Sequence, residues 1–247
     1  MENFDPNIAY DVVQLPSQGI HYANNKKSIK VAYLTAADEN ILNSPNLVQN
    51  DMVVEELLRR KILDRDIDID DLSNEDRQAV LIFLRNTAFG TEYTVTLTDP
   101  KTKQEFSMDI DLSTIPVKDF NLKANAAGEF EYHLKSINKN ITFKFLNQKQ
   151  ETELEKLKVS GSGNQVVPVN TKRLEMMIKS IDGNTDQMYI YQFIQNLPIK
   201  DSQDFKKFVS ENKPGLNLFV NVIAPSGEKV PVLVDFGVEF FRPFFGL

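Results

Sequence analysis

The sequence predicts an α+β fold in which helical segments are segregated from antiparallel β-hairpins. Three observations carry this. Alternating apolar and polar residues surround a short polar tip in three places, 92–112, 129–146 and 217–236. Segments of helical spacing gather at 35–90 and at 171–212, without single strands between them. The order helices-then-hairpin therefore occurs twice, giving two halves alike in architecture though not in sequence. It argues against a doubly wound parallel sheet. The predicted partition is an N-terminal strand, helix and hairpin domain at 1–115, a connecting β-pair and helix at 116–159, and a C-terminal domain at 166–247.

The elements follow in chain order. "YDVVQLPSQGIHY" (10–22) is a short strand running into a turn marked by Pro16 and Gly19. "SIKVAYL" (28–34) alternates and predicts a strand. Thr35 and Asp38 stand at capping-box spacing, with Asp in place of Glu. Ser44-Pro45 marks a second helix start. Val53, Val54, Leu57, Leu58 and Ile62 give 51–63 one apolar helical face. An acidic loop follows, and then the clearest helix, with Ser73 at its cap, Asp76 at the box position and Gly90 at its end. Ala79, Val80, Ile82, Phe83 and Leu84 make this helix apolar around much of its circumference, so it belongs at a core. Residues 148–158 are polar and helical, and "SGSGNQ" (160–165) reads as a linker. Three helices are predicted at about 171–182, 185–196 and 201–212, capped by Thr171, Thr185 and Ser202 or nearby polar residues.

Composition narrows function. The chain has 247 residues, 41% hydrophobic and 26% charged, as expected of a folded globular protein. It has no Cys, which removes disulfides, thiol catalysis and thiolate zinc sites. Its two His, His21 and His133, lie far apart and outside any ligand spacing. A net charge of −7 disfavours nucleic acid as the main partner. No apolar run approaches the ~20 residues that span a bilayer. The acidic start "MENFDPNIAY" lacks the features of a secretory signal, so a cytosolic start is expected.

Few motifs suggest chemistry. Asp64, Asp66, Asp68 and Glu75 occupy positions 1, 3, 5 and 12 of a calcium-binding loop, but Ile69 stands where that loop needs Gly. The main reading of 64–75 is a solvated acidic connector; the alternative is a calcium-responsive or small-molecule-binding regulatory module. Asp109 and Asp111 share a strand face and read as solvent-facing. His133 reads as a half-buried strand residue, and Met176 and Met177 as core. No nucleophile, base and orienting group stand in a recognisable pattern, so no enzyme is read and no cofactor is expected.

Several stretches together resemble a phage family, the T4-type baseplate hub and hub-assembly proteins of contractile-tailed bacteriophages. They are "LPSQGIHY" (15–22), "LTAADENIL" (34–42), "IDIDDL" (67–72), "DRQAVLIFLR" (76–85), "FGTEY" (89–93) and, near the far end, "FFRP" (240–243). The likeness covers roughly the first 95 residues well and the last 60 loosely, and rests on the order and spacing of the motifs. It implies a structural or assembly protein of the tail baseplate, working by contacts with other baseplate and tail proteins. No nucleic acid, membrane or small-molecule substrate is implied. The expected location is the virion, with the host cytoplasm during assembly. Many members carry Cys pairs at hairpin tips like those at 92–112 and 217–236. Here the tips read "TDPKTKQ" and "APSGEKV", so any zinc role does not carry over.

The last twelve residues, "FGVEFFRPFFGL", hold five of the 17 Phe. Burying a Phe is worth roughly 1.5–3 kcal/mol, so this segment packs either on its own domain or on a partner. In the partner reading, Phe236, Phe240, Phe241, Phe244 and Phe245 form the contact, Pro243 keeps the segment extended and Arg242 pairs with a rim carboxylate. In the same way Leu15, Pro16, Gly19 and Tyr22 form either an internal turn or a second interface element.

Overall fold

The computed structural model describes residues 8–22, 24–49, 52–160, 166–236 and 238–241. The α+β class is as predicted, with helices set beside small antiparallel sheets. The chain divides into two compact units. One is built from Met1–Ile69, Asn74–Lys118 and Gly215–Leu247, and the other from Asp70–Ser73 and Asp119–Pro214.

In the first unit, β1 (Tyr10–Gln14) and β2 (Ser28–Ala32) pair antiparallel, with Tyr10 opposite Ala32. Three helices follow: α1 (Ala36–Leu42), α2 (Pro45–Gln49) and α3 (Val53–Lys61). The start of α1 is fixed by Asp38, whose carboxylate accepts the Thr35 N–H and Oγ1–H at 2.7 and 2.8 Å. On α3, Val53, Leu57 and Leu58 are buried as the periodicity requires. The Lys61 ammonium at its end pairs with buried Asp38, tying α3 to α1. Helix α4 (Asn74–Phe89) buries Val80, Leu81 and Leu84. It stops at Gly90, whose φ of +85° suits the left-handed turn after a helix and whose N–H returns to the Asn86 carbonyl.

Hairpin β3 (Glu92–Thr98) with β4 (Glu105–Asp111) and hairpin β8 (Phe219–Ile223) with β9 (Lys229–Leu233) belong to this unit too. Their inner faces share one apolar cluster of Ile110, Val222 and Val232, flanked by Val95, Leu97, Phe106, Val220 and Val230. Period-2 alternation in both hairpins places these residues on one side.

The second unit centres on a three-stranded antiparallel sheet of β5 (Phe130–Leu134), β6 (Lys139–Phe143) and β7 (Ile178–Ile181). Helices α5 (Gln148–Ser160), α6 (Val169–Met177), α7 (Gln187–Gln195) and α8 (Ile199–Asn212) accompany it. Its core is aromatic. Phe143 meets Phe145 at 5.5 Å and Phe205 at 5.1 Å between ring centroids, both edge-on. The helix predicted at 171–182 is corrected here, because α6 ends at Met177 and the next four residues are β7. Ile178 and Ile181 pair with β6, and Asp182 and Gly183, at φ +47° and +81°, make the turn that follows. Residues 161–165, the predicted linker, lie outside the described residues.

Candidate functional site

The "LPSQG" turn sits against α4. Leu15, Pro16, Ser17, Gly19 and Tyr22 are all buried in the first unit. One carboxylate organises them. Asp76, in the first turn of α4, accepts the Ser17 N–H at 2.9 Å, the Ser17 Oγ–H at 2.6 Å and the Tyr22 hydroxyl at 2.6 Å. The segments "LPSQGIHY" and "DRQAVLIFLR" thus meet at a single buried acid. Gly19 is fixed by space as well as by conformation: its φ is +83°, and a Cβ there would stand 2.5 Å from the Asn25 carbonyl carbon.

The acidic loop is engaged locally. Asp64 and Asp66 share the Lys26 ammonium, at 2.8 Å from Asp64. Burial opposes the charge on Lys26, but hydrogen bonds to the two carboxylates outweigh it and raise the ammonium pKa. The bond to Lys26 likewise lowers the Asp66 pKa. Asp66 also accepts the Asn24 side-chain amide at 3.0 Å. Glu75 lies buried in the first turn of α4. Among the described residues, no three His, Cys, Asp or Glu side chains group to hold a metal ion.

The tips of the two first-unit hairpins are joined. Asp99, buried at the β3–β4 tip, accepts the N–H groups of Lys101 at 2.8 Å and Thr102 at 3.1 Å. It also accepts the Ser226 N–H at 3.0 Å and Oγ–H at 2.8 Å from the β8–β9 tip. Burial opposes ionisation of Asp99, yet these donors prevail and hold its pKa at about 2. The tips "TDPKTKQ" and "APSGEKV" are therefore bridged by a carboxylate and a serine. Sequence reading missed this tie, although an Asp opening a polar tip is a common turn-forming signal.

The C-terminal aromatics are placed in part. Phe240 and Phe241 are buried in the first unit, and Phe236 is half-buried. The Phe240 ring lies 5.3 Å from Tyr93, 4.9 Å from Phe236 and 5.2 Å from Phe241. Arg85 of α4 is buried with them. Its guanidinium donates to the carbonyls of Gly90 at 2.7 Å and Glu92 at 2.9 Å. It stands 5.4 Å from the Tyr93 ring centroid and 5.6 Å from that of Phe240. Burial pushes its pKa down from the usual value. Arg242, Pro243, Phe244 and Phe245 lie outside the described residues.

The remaining candidates are ordinary surface and core. His133 is exposed rather than half-buried, because the period-2 pattern turns it outward, where its Nδ1 meets the Asn140 Oδ1 at 2.7 Å. Asp109 and Asp111 face solvent, and Asp111 accepts the Ser113 N–H and Oγ–H at 2.9 and 2.6 Å. Met177 is core. A cavity of about 590 Å³ in the second unit is lined by groups including Glu153, Lys156, Thr171, Lys172, Glu175 and Tyr191. Its charges are of both signs. Among the described residues, no helix is long and apolar enough to cross a membrane.

Asp76 and Asp99 thus hold a turn and two hairpin tips in place. A family described as T4 bacteriophage base plate protein matches residues 10–242, nearly the whole chain. The chain belongs to that family, and the family implies a structural role in the virion tail alongside other baseplate and tail proteins. No curated protein and no solved structure matches it.

Proposed function

We propose that this chain is a structural or assembly protein of the hub region of the baseplate, acting through protein–protein contacts without catalysis. The order of the motifs from "LPSQGIHY" to "FFRP" supports the hub assignment. The observation that carries the non-catalytic reading is the use of the buried acids. Asp76, Asp38 and Asp99 each bind a turn, a helix start or a hairpin tip of the same unit. Exposed apolar groups supply contact surface, among them Phe219, Ile223 and Leu233 on one hairpin and Met188 and Tyr191 on α7.

Cross-linking mass spectrometry on purified baseplates and assembly intermediates tests this. Cross-links from this chain to central hub subunits, at a fixed copy number, are the expected result. Cross-links confined to peripheral baseplate parts would sink the hub reading. Detection in neither virions nor intermediates would sink the assembly role as well.

A further inference from the structure

The two edges of the β8–β9 hairpin are built differently. Val220 pairs with Val232 and Val222 with Val230, and the bonds continue at both ends, from Ala224 N–H to Glu228 and from Val234 N–H to Leu218. This alternation turns the N–H and C=O of Phe219, Asn221 and Ile223 away from β9, and those of Lys229, Pro231 and Leu233 away from β8. The outer edge of β9 carries Pro231, which has no N–H, and Lys229, both of which deter further pairing. The outer edge of β8 carries no such guard. From Asn217 to Pro225 there is no charged residue. Pairing on that edge has already begun: Asn217 donates to Pro116 and Lys118 donates to Gly215, both at 2.8 Å. Among the described residues this pairing stops there, and β8 itself has β9 as its only strand partner.

We propose that the outer edge of β8 binds the same edge of a second copy of this chain, antiparallel about a two-fold axis at Asn221. In this register apolar Phe219 falls opposite apolar Ile223 of the other copy and neutral Asn221 falls opposite Asn221, so no like charges oppose each other. All three have outward backbone groups, so the pairing forms about six hydrogen bonds. Phe219 and Ile223 are 65% and 61% exposed in the single chain, and each gains an apolar cross-strand neighbour. The chain carries a net charge of −7, so a copy approaches best through an uncharged segment. This inference is independent of the hub assignment.

Sedimentation velocity on the full chain across a range of loading concentrations, with three variants, tests the proposal. The chain itself is expected to dimerise. Asn221→Asp places two carboxylates at the axis and is expected to weaken the dimer about tenfold or more. Asn221→Pro removes an outward N–H, as Pro231 already does on β9, and is expected to abolish it. Thermal melts of both variants report whether the monomer still folds. Since the chain has no Cys, Asn221→Cys gives a direct readout: oxidation should link two copies, because paired Cα atoms about 5.5 Å apart suit a disulfide. A monomer at every concentration would overturn the proposal and leave the edge to a strand of another subunit. A dimer indifferent to Asn221→Asp, with no disulfide in the Cys variant, would overturn it equally.

Discussion

Asp99 and Ser226 stand 127 positions apart in sequence, yet the serine donates both its N–H and its hydroxyl to the aspartate, at 3.0 and 2.8 Å. The two hairpin tips are held by this contact, while the faces behind them share one apolar cluster. Burial raises the cost of charging Asp99, but the surrounding donors hold its pKa at about 2, below the ~3.9 of an unfolded Asp. The sign follows: its contribution to stability is whole above pH ~4 and is lost as pH falls through about 2. Urea unfolding of the protein and of Asp99→Asn, from pH 5 to pH 2, should show a steeper loss of stability in the parent chain. Parallel pH profiles would mean that Asp99 is not charged and bridged as described.

Asp76 makes the corresponding tie for the N-terminal turn, and its loss should be costly. Asp76→Ala removes one acceptor from the Ser17 N–H, the Ser17 hydroxyl and the Tyr22 hydroxyl. A bond to a charged acceptor is worth about 1.5–3 kcal/mol, so a total near 3 kcal/mol or more is expected. Tyr22→Phe should cost about 1.5–3 kcal/mol on the same scale. Combined with Asp76→Ala, it should add little further, since the shared bond is already gone. Denaturant titration of the two single variants and the double variant checks this. Full additivity would show that the two side chains act separately.

Much of the fold was legible because it is determined locally. The three hairpins announce themselves by alternation around a polar tip, and the Thr35–Asp38 box lies within four residues of sequence. Helix α6 was overextended for a physical reason. Leu174, Ile178 and Ile181 continue a helical spacing, and the competing strand is created by β6, which lies some thirty-five residues earlier. The ties at Asp76 and Asp99 had no local signature. Each joins a turn to a partner 59 or 127 positions away, so turn chemistry alone could mark the turns but not their partners. Arg85 was hidden for a similar reason: nothing local in "FLRN" marks it as buried, and only the fold brings Tyr93 and Phe240 over it.

Gly19 and Gly90 make a useful comparison, since both have φ near +84° but the space around them differs. A Cβ at Gly90 meets nothing within 4 Å, whereas at Gly19 it meets the Asn25 carbonyl carbon and oxygen at 2.5 and 2.6 Å. Gly90→Ala should therefore cost only the conformational strain, about 1–2 kcal/mol. Gly19→Ala should cost more than that and displace the turn from Asp76, because backbone atoms cannot give way as a flexible side chain does. Thermal melts of the two variants decide it. Equal losses would mean that the turn relaxes freely and is not locked into the unit.

Phe240 and Phe241 are 1% and 0% exposed, so they act as core for the first unit. Phe→Ala in such sites costs about 3–5 kcal/mol, and each single substitution should lower stability on that scale. Deleting 237–247 removes both rings together, and loss of cooperative unfolding in the first unit is the expected result. Arg85 adds a specific test. Its guanidinium spans two carbonyls and faces two rings, a geometry that the Lys ammonium cannot reproduce. Arg85→Lys should lose about 1.5–3 kcal/mol from the carbonyl bonds. A double-mutant cycle of Arg85→Met with Phe240→Leu should return a coupling of about 1–2 kcal/mol from the cation over the ring. If Phe240→Ala instead unfolds at the same denaturant concentration as the parent, those rings contribute nothing to the unit. The segment's apolar content would then have to be explained by a partner surface. Large losses from Phe240→Ala and Phe241→Ala, with the coupling present, would assign these two rings to folding and leave any partner contact to other residues.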